Sequence, residues 1–212
     1  MKTLALSLAA LFFTASLASA DWVLVQKIDT DGKEDQITTK MKGDQARVDM
    51  GDKMTAFVSL DGMTVLIHGQ KKMMKMGIAQ IKAVVEMAGK GAGKEAPKPV
   101  ATGQKEKIGD WDTEMYTWEG SLAQGKFWVA KNFPKYAEIN ALNDKLGKIM
   151  GGAMAGMAPQ AKDFEGMPVK SIMTVMGKTV TSTLVSAKEG DLPASEFAVP
   201  EGYSEMKIPG AP

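Results

Sequence analysis

Cysteine is absent from this 212-residue chain, histidine and arginine occur once each, as His68 and Arg47, and aromatic residues make up only 7%. Each scarcity removes a class of function. Without cysteine there is no disulfide framework. With one histidine, a zinc site, which draws its four ligands mostly from those two types, has no ligand set. A single arginine and few rings leave neither forked phosphate donors nor stacking platforms, so no nucleic-acid face is expected. No apolar run approaches the roughly 20 residues of a membrane-spanning helix. No cofactor is expected either.

The first twenty residues, MKTLALSLAALFFTASLASA, read as an export signal. Lys2 begins it, an apolar stretch follows from about Leu4 to Phe13, and Ala18-Ser19-Ala20 is the small-x-small pattern cleaved before Asp21. With no cysteine at the cleavage point, acylation is excluded. The expected product is a periplasmic or secreted chain, 21–212, in one domain of about 190 residues, large enough for a core without disulfides. Without Lys2 its acidic and basic side chains balance at 25 each.

Periodicity divides the chain into blocks. DWVLVQKID is rich in strand formers and ends at the turn DTDG. QITTKMK, ARVDM and KMTAFVSL follow, the last placing Met54, Ala56, Val58 and Leu60 on one face. Asp61-Gly62 is a hairpin signal, after which MTVLIH turns Met63, Val65 and Ile67 inward, and KKMMKM returns. The period then changes. Ile78, Ile81, Val84, Val85 and Ala88 mark one face of a helix over Ile78–Lys90. The stretch 89–103, GKGAGKEAPKPVATG, is rich in glycine, lysine and proline and reads as a flexible linker. Strands resume with KEKIG, DWDTEMYTW and GKFWVAKNF. Pro134 opens a second helix whose apolar positions Ile139, Leu142, Leu146, Ile149 and Met150 run on to Met154 and Met157. Its glycines at 147, 151, 152 and 156 weaken it by about 1 kcal/mol each. MPVKSIMTVMG and KTVTSTLVSAKE form a last hairpin, and an extended segment closes the chain. Antiparallel strands with helices on a single face give an α+β fold.

No catalytic constellation emerges, and the expectation is a protein that is not an enzyme. GKGAGKE at 89–95 lacks the first glycine and the final Ser or Thr of a phosphate loop, since Ala88 and Glu95 stand there. DTDGKED has its glycine in the fourth place of a would-be calcium loop, where the sixth is needed. Asp110 and Asp112 have no partner base, and His68 reads as a sheet-edge residue.

Methionine is what the chain has in excess, with seventeen residues. Three readings stand. The thioethers pack the core; or they line a soft, adaptable surface for an apolar ligand; or Met73, Met74 and Met76 with Met150, Met154 and Met157, joined by His68, bind copper(I). For the ligand surface the candidates are Met54, Met63, Met74, Ile81, Val85, Met115, Leu146, Met150, Met154 and Met157.

Three segments together, SLDGMTVLIHGQKKMMKM, IGDWDTEMYTWEG with KFWVAKNFP, and EGMPVKSIMTVMGKTVTSTLVSAKEGDLPASEFAVPEGYSEM, resemble the LolA/LolB superfamily of periplasmic lipoprotein carriers. Within it they are most similar to a methionine-rich branch that carries a domain-of-unknown-function heading. The last segment, with its G-x-P strand, hairpin and closing F-x-V-P-x-G-Y, is the most specific. The resemblance implies one strongly curved antiparallel sheet, a half-open barrel, with helices in its concave face and an apolar space between them that receives acyl chains. Two departures matter. The carriers' helix before the first strand is missing, because Trp22 begins a strand at once. Arg47, the one arginine, does not match the motif that holds the carriers' lid. The expected partner is therefore a lipid or other apolar small molecule, with a transient membrane or protein partner. A structural or partner-binding domain without a small ligand stands as the further alternative.

Overall fold

The computed structural model describes residues 20–81, 83, 97–120, 123–149, 158–175 and 177–206, with 145–149 described by their backbone. Twelve strands form one sheet: β1 (Asp21–Thr30), β2 (Lys33–Lys42), β3 (Gln45–Met50), β4 (Met54–Ser59), β5 (Gly62–Ile67), β6 (Lys72–Gly77), β7 (Val100–Ile108), β8 (Trp111–Glu119), β9 (Ala123–Ala130), β10 (Met167–Val175), β11 (Lys178–Gly190) and β12 (Ser204–Glu205). Their order is β12-β6-β5-β4-β3-β2-β1-β11-β10-β9-β8-β7. Two antiparallel meanders, β1–β6 and β7–β11, thus join along β1 and β11. The sheet is curved and does not close, and one helix, α1 (Tyr136–Ile149), packs inside the curve. The α+β expectation holds. Only the two-residue β12 runs parallel to its neighbour, β6.

Local chemistry sets the turns. Between β1 and β2 the two-residue link Asp31-Gly32 has φ of 53° and 81°, the left-handed pair that matches strand twist in a tight hairpin. Gly166, in the G-x-P segment, has no room for a side chain, because a Cβ there would meet the carbonyl of Ala130. That close approach seats Met167 opposite Ala130 at the start of β10.

Direct cross-strand partners lie on one face of a sheet, so the register assigns every side chain to a side. Trp22, Met41, Ala46, Val58, Met63 and Met76 stand opposite one another in one row across β1 to β6. Trp22, Leu24, Met41 and Ala46 form a buried cluster with Ile139 and Leu142 of α1, and Val58 packs against it. That row therefore lies on the inner face. Ile139 and Leu142 are 0% and 2% exposed, and full burial of each stabilises the fold by about 1.5–3 kcal/mol. Just ahead of the helix, Lys135 binds Glu189 of β11 at 2.6 Å and fixes where α1 leaves the sheet. Further along the inner face, Tyr116, Trp118, Phe127 and Phe164 fill the β8–β10 half. The Phe164 ring packs 5.8 Å from Tyr116 and 5.0 Å from Phe127.

Three expectations are adjusted. Residues 78–81 are helical, as the period change predicts, whereas 84–96 lie outside the described residues. The linker read over 89–103 is too long at its far end: Val100 already starts β7, whose backbone pairs with β8 through Val100–Thr117 and Ala101–Tyr116. The lysine- and proline-rich composition hid a strand because β7 is an edge, with almost every residue exposed, and so carries no apolar alternation. Pro134 does not open the second helix; α1 starts two residues later, at Tyr136.

Candidate functional site

The inner face of β2–β6 is where the methionines gather. Beside the row that ends in Met63 and Met76 run two more. One is Leu24, Thr39, Val48, Ala56, Val65 and Met74; the other is Gln26, Ile37, Met50, Met54, Ile67 and Lys72. Met50 faces Met54, and Met63 faces Met76, each as a direct cross-strand pair. Burial along the first row is graded. Trp22, Met41 and Ala46 are 4%, 0% and 3% exposed beneath α1, whereas Val58, Met63 and Met76 are only half-buried. The row thus has a filled end at β1 and an open end at β6, about 24 Å apart at the usual strand spacing.

At that open end lies a pocket of about 320 Å³. Most of its lining, Phe57, Ser59, Thr64, Lys75 and Gly77 among it, lies on the outer face, with Val58, Met63 and Met76 at the neighbouring positions of the same strands. Gly62 lines it as well, with φ of 146°; a side chain there would run into the Met76 carbonyl, so β5 and β6 close the pocket floor only because this position is glycine. The remaining wall comes from Phe197 and Val199, far along the chain.

These two residues belong to a strap, residues 191–206, that crosses the outer face of β2–β6. Its 3₁₀ turn Ala194–Phe197 carries Glu196, which binds Lys40 at 2.6 Å and Arg47 at 3.0 Å. The Lys40 ammonium, hydrogen-bonded to it, holds the Glu196 carboxyl below the usual carboxylate range; partial burial opposes this and the Arg47 charge assists it. Arg47 also binds Asp49 at 2.9 Å and lies 5.7 Å from the Phe57 ring centre. Arg47 stands directly opposite Lys40 and Phe57, on the face away from α1. It fastens the strap, which explains why it does not match a motif that holds an inner lid. Beyond Glu196, Tyr203 meets His68, and Ser204 and Met206 donate backbone hydrogen bonds to Lys71 and Met73 at 3.0 and 2.7 Å.

The predicted ligand residues are placed as follows. Met54, Met63 and Met74 share the inner face and are half-buried; Ile81 is buried at 4% exposure. Met115 does not join them. It pairs with Trp128, on the face opposite Tyr116 and Trp118, because the alternation of β8 turns the aromatic residues inward. Val85, Met150, Met154, Met157 and the Leu146 side chain lie outside the described residues. The copper(I) set is divided. Met73 pairs with Leu66 and Met74 with Val65, so neighbouring positions of β6 point to opposite faces, and the triplet Met73, Met74 and Met76 does not converge on one ion. His68 has both ring nitrogens engaged, by Tyr203 at 2.6 Å and Thr55 at 2.9 Å. Sequence reasoning missed the strap residues Phe197, Val199 and Tyr203. Their only signal was the F-x-V-P-x-G-Y spacing, and nothing local says which strands it will touch.

The candidate surface thus lies on an open, curved antiparallel sheet with a helix on its concave side. The chain belongs to the family described as Domain of unknown function (DUF4412), whose model matches residues 23–203. No curated protein matches it by sequence. Among solved structures it is similar to an uncharacterized conserved protein from Thermus thermophilus, with a TM-score of 0.50 and 8% identity, covering 90% of this chain and 91% of that one. It is also similar to PNGF-II, at a TM-score of 0.45 and 9% identity, covering 90% of this chain but only 31% of that one. The chain thus spans less than a third of PNGF-II's length. A third similarity is to the Mycobacterium tuberculosis lipoprotein LppX, at a TM-score of 0.39 and 13% identity, covering 77% and 84%. At these identities the likeness concerns the fold. No helix among the described residues is long and apolar enough to cross a membrane.

Proposed function

We propose that this is a non-enzymatic, exported protein of the periplasm that holds an apolar ligand, a lipid or acyl chain, between the inner face of β3–β6 and the helices. One observation carries the reading. Met50, Met54, Met63, Met74 and Met76 sit together on the concave side, none of them fully buried, while the other half of the same face is closed by packed aromatic rings. A core whose only task is stability gains nothing from leaving five thioethers half-covered. A surface that accommodates varied apolar shapes does, because methionine is unbranched and polarisable. Each methylene laid on it contributes about 0.8 kcal/mol, so about ten methylenes supply the roughly 8 kcal/mol of micromolar affinity before the costs of binding. The export signal read in residues 1–20 supports a site of action outside the cytoplasm, where loading and release would involve brief contact with a membrane or a partner protein.

The test is uptake of a fluorescent fatty acid by the purified protein and by Met54→Asp and Met63→Asp variants. A charge on the inner face weakens uptake at least tenfold while the circular dichroism stays native. Uptake unchanged in both variants overturns the assignment of the surface.

A further inference from the structure

We infer that Met63, Met74 and Met76 form a three-thioether site for a soft monovalent metal ion, copper(I), an inference that does not rest on the apolar-ligand reading above. The register brings the three together from two strands. Met63 of β5 stands directly opposite Met76 of β6, and Met74 lies two positions before Met76, on the same face. Direct cross-strand partners have Cβ atoms about 5 Å apart, next-but-one neighbours on a strand about 7 Å, and the remaining diagonal about 7–8 Å. Methionine carries its sulfur two bonds beyond Cβ on flexible torsions, so three sulfurs can close from corners of that size to the roughly 2.3 Å of a metal–sulfur bond. All three side chains are half-buried, held by the sheet yet open to an arriving ion. Met73 points to the other face, and Met63 supplies the third ligand in its place.

What surrounds the triad selects the ion. The three inner rows contain no carboxylate and no imidazole as they cross β2 to β6, so a hard divalent cation finds no ligand set there. Thioethers are soft donors that carry neither charge nor proton, which suits copper(I) and not calcium or magnesium. Lys72, the one charged side chain in those rows, lies two positions before Met74 on the same face. Its repulsion weighs twice as heavily on a divalent ion as on a monovalent one. Cysteine is absent, so no thiolate of the chain competes for the metal. The Met50–Met54 pair differs: Ile37 and Ile67 flank it in its row, and it offers two sulfurs where the triad offers three.

Anaerobic isothermal titration with copper(I), supplied as its weak acetonitrile complex, tests this. Binding of a single ion per chain is expected, with no saturable binding of zinc(II) at the same concentrations. Met63→Leu, Met74→Leu and Met76→Leu keep bulk and remove sulfur, and each should weaken copper(I) binding at least tenfold while the circular dichroism stays native. Met73→Leu, on the other face, and Met54→Leu, in the two-sulfur pair, should stay within about twofold of the parent. Leucine keeps the inner face apolar, so acyl uptake is retained in all five variants and the two readings fail separately. No copper(I) binding, or equal weakening by Met73→Leu and Met63→Leu, overturns the site.

Discussion

His68 and Tyr203, 135 positions apart, meet at 2.6 Å between Nδ1 and the phenolic oxygen. Proton bookkeeping gives that contact a direction. Asp49 can only accept, so the Thr55 hydroxyl donates to it at 2.7 Å. Thr55 Oγ1 then accepts from Nε2–H of His68 at 2.9 Å, and the bare Nδ1 accepts from Tyr203. The relay continues through Asp49 to Arg47 and Glu196, so both ends of the strap are tied to one outer-face network. The lone histidine of the chain is a fastening point for the segment that walls the pocket.

Replacing Tyr203 by Phe removes the donor and keeps the ring 5.2 Å from the Lys71 ammonium. The amides of Ser204 and Met206, bonded to Lys71 and Met73, should then exchange about 3- to 10-fold faster, the equivalent of a net 0.5–1.5 kcal/mol hydrogen bond. Hydrogen exchange read by mass spectrometry checks this, and unchanged exchange in the C-terminal peptide contradicts it.

The Glu196 pin makes the strap acid-sensitive. Its carboxyl is held below the ordinary glutamate value of about 4.3 by Lys40, so its contribution is complete above that pH and disappears as the pH falls through the lowered value. Strap protection measured from pH 7 downward should stay level to about 4.3 and drop below it. In Glu196→Gln the level portion starts lower and the acid step is absent; an acid step of equal size in the variant argues against this pin.

Tyr136 titrates at the other extreme. Burial, with the Asp144 and Asp163 carboxylates nearby, pushes its phenol up to about 12, and its O–H donates to the Ala161 carbonyl at 2.7 Å. The stability it supplies is whole below the free phenol's value of about 10 and is lost as the pH rises through the folded value. Ultraviolet titration of the native protein should show a phenolate forming near pH 12 that Tyr136→Phe lacks. The variant should also lose about 1 kcal/mol at neutral pH, the net worth of that hydrogen bond, while the Ala161 carbonyl keeps the Phe164 amide at 3.2 Å.

Met41 and Met63 share a row and should answer mutation differently. Met41 is 0% exposed under α1, so Met41→Ala costs about 2–5 kcal/mol and Met41→Leu less than about 1.5. Met63 is half-buried at the pocket, and Met63→Ala should cost less than half as much as Met41→Ala while weakening acyl uptake. Chemical denaturation of the variants checks the order; equal losses would make the row uniform core.

Much of this was legible in the chain. The hairpins at Asp31-Gly32 and Asp61-Gly62 follow from turn chemistry, and the shared face of Met54, Ala56 and Val58 with Met63, Val65 and Ile67 follows from a period of two. What periodicity could not give was which of two apolar faces wins. In β8 both Met115 and Tyr116 are candidates for the interior, and the choice falls to the aromatic ring that packs on Phe164, a residue 48 positions later. Nor could spacing show that the polar-looking outer face would be covered. The strap's contacts join residues more than a hundred positions apart, and only the completed sheet brings them together.

Native mass spectrometry of the protein exported to a periplasm and purified without detergent tests the central claim most directly. The account predicts a co-purifying mass of lipid character, which fragments as an acyl-chain compound and is lost in the Met54→Asp and Met63→Asp variants. A bare polypeptide mass, together with no uptake of added acyl probes, contradicts it.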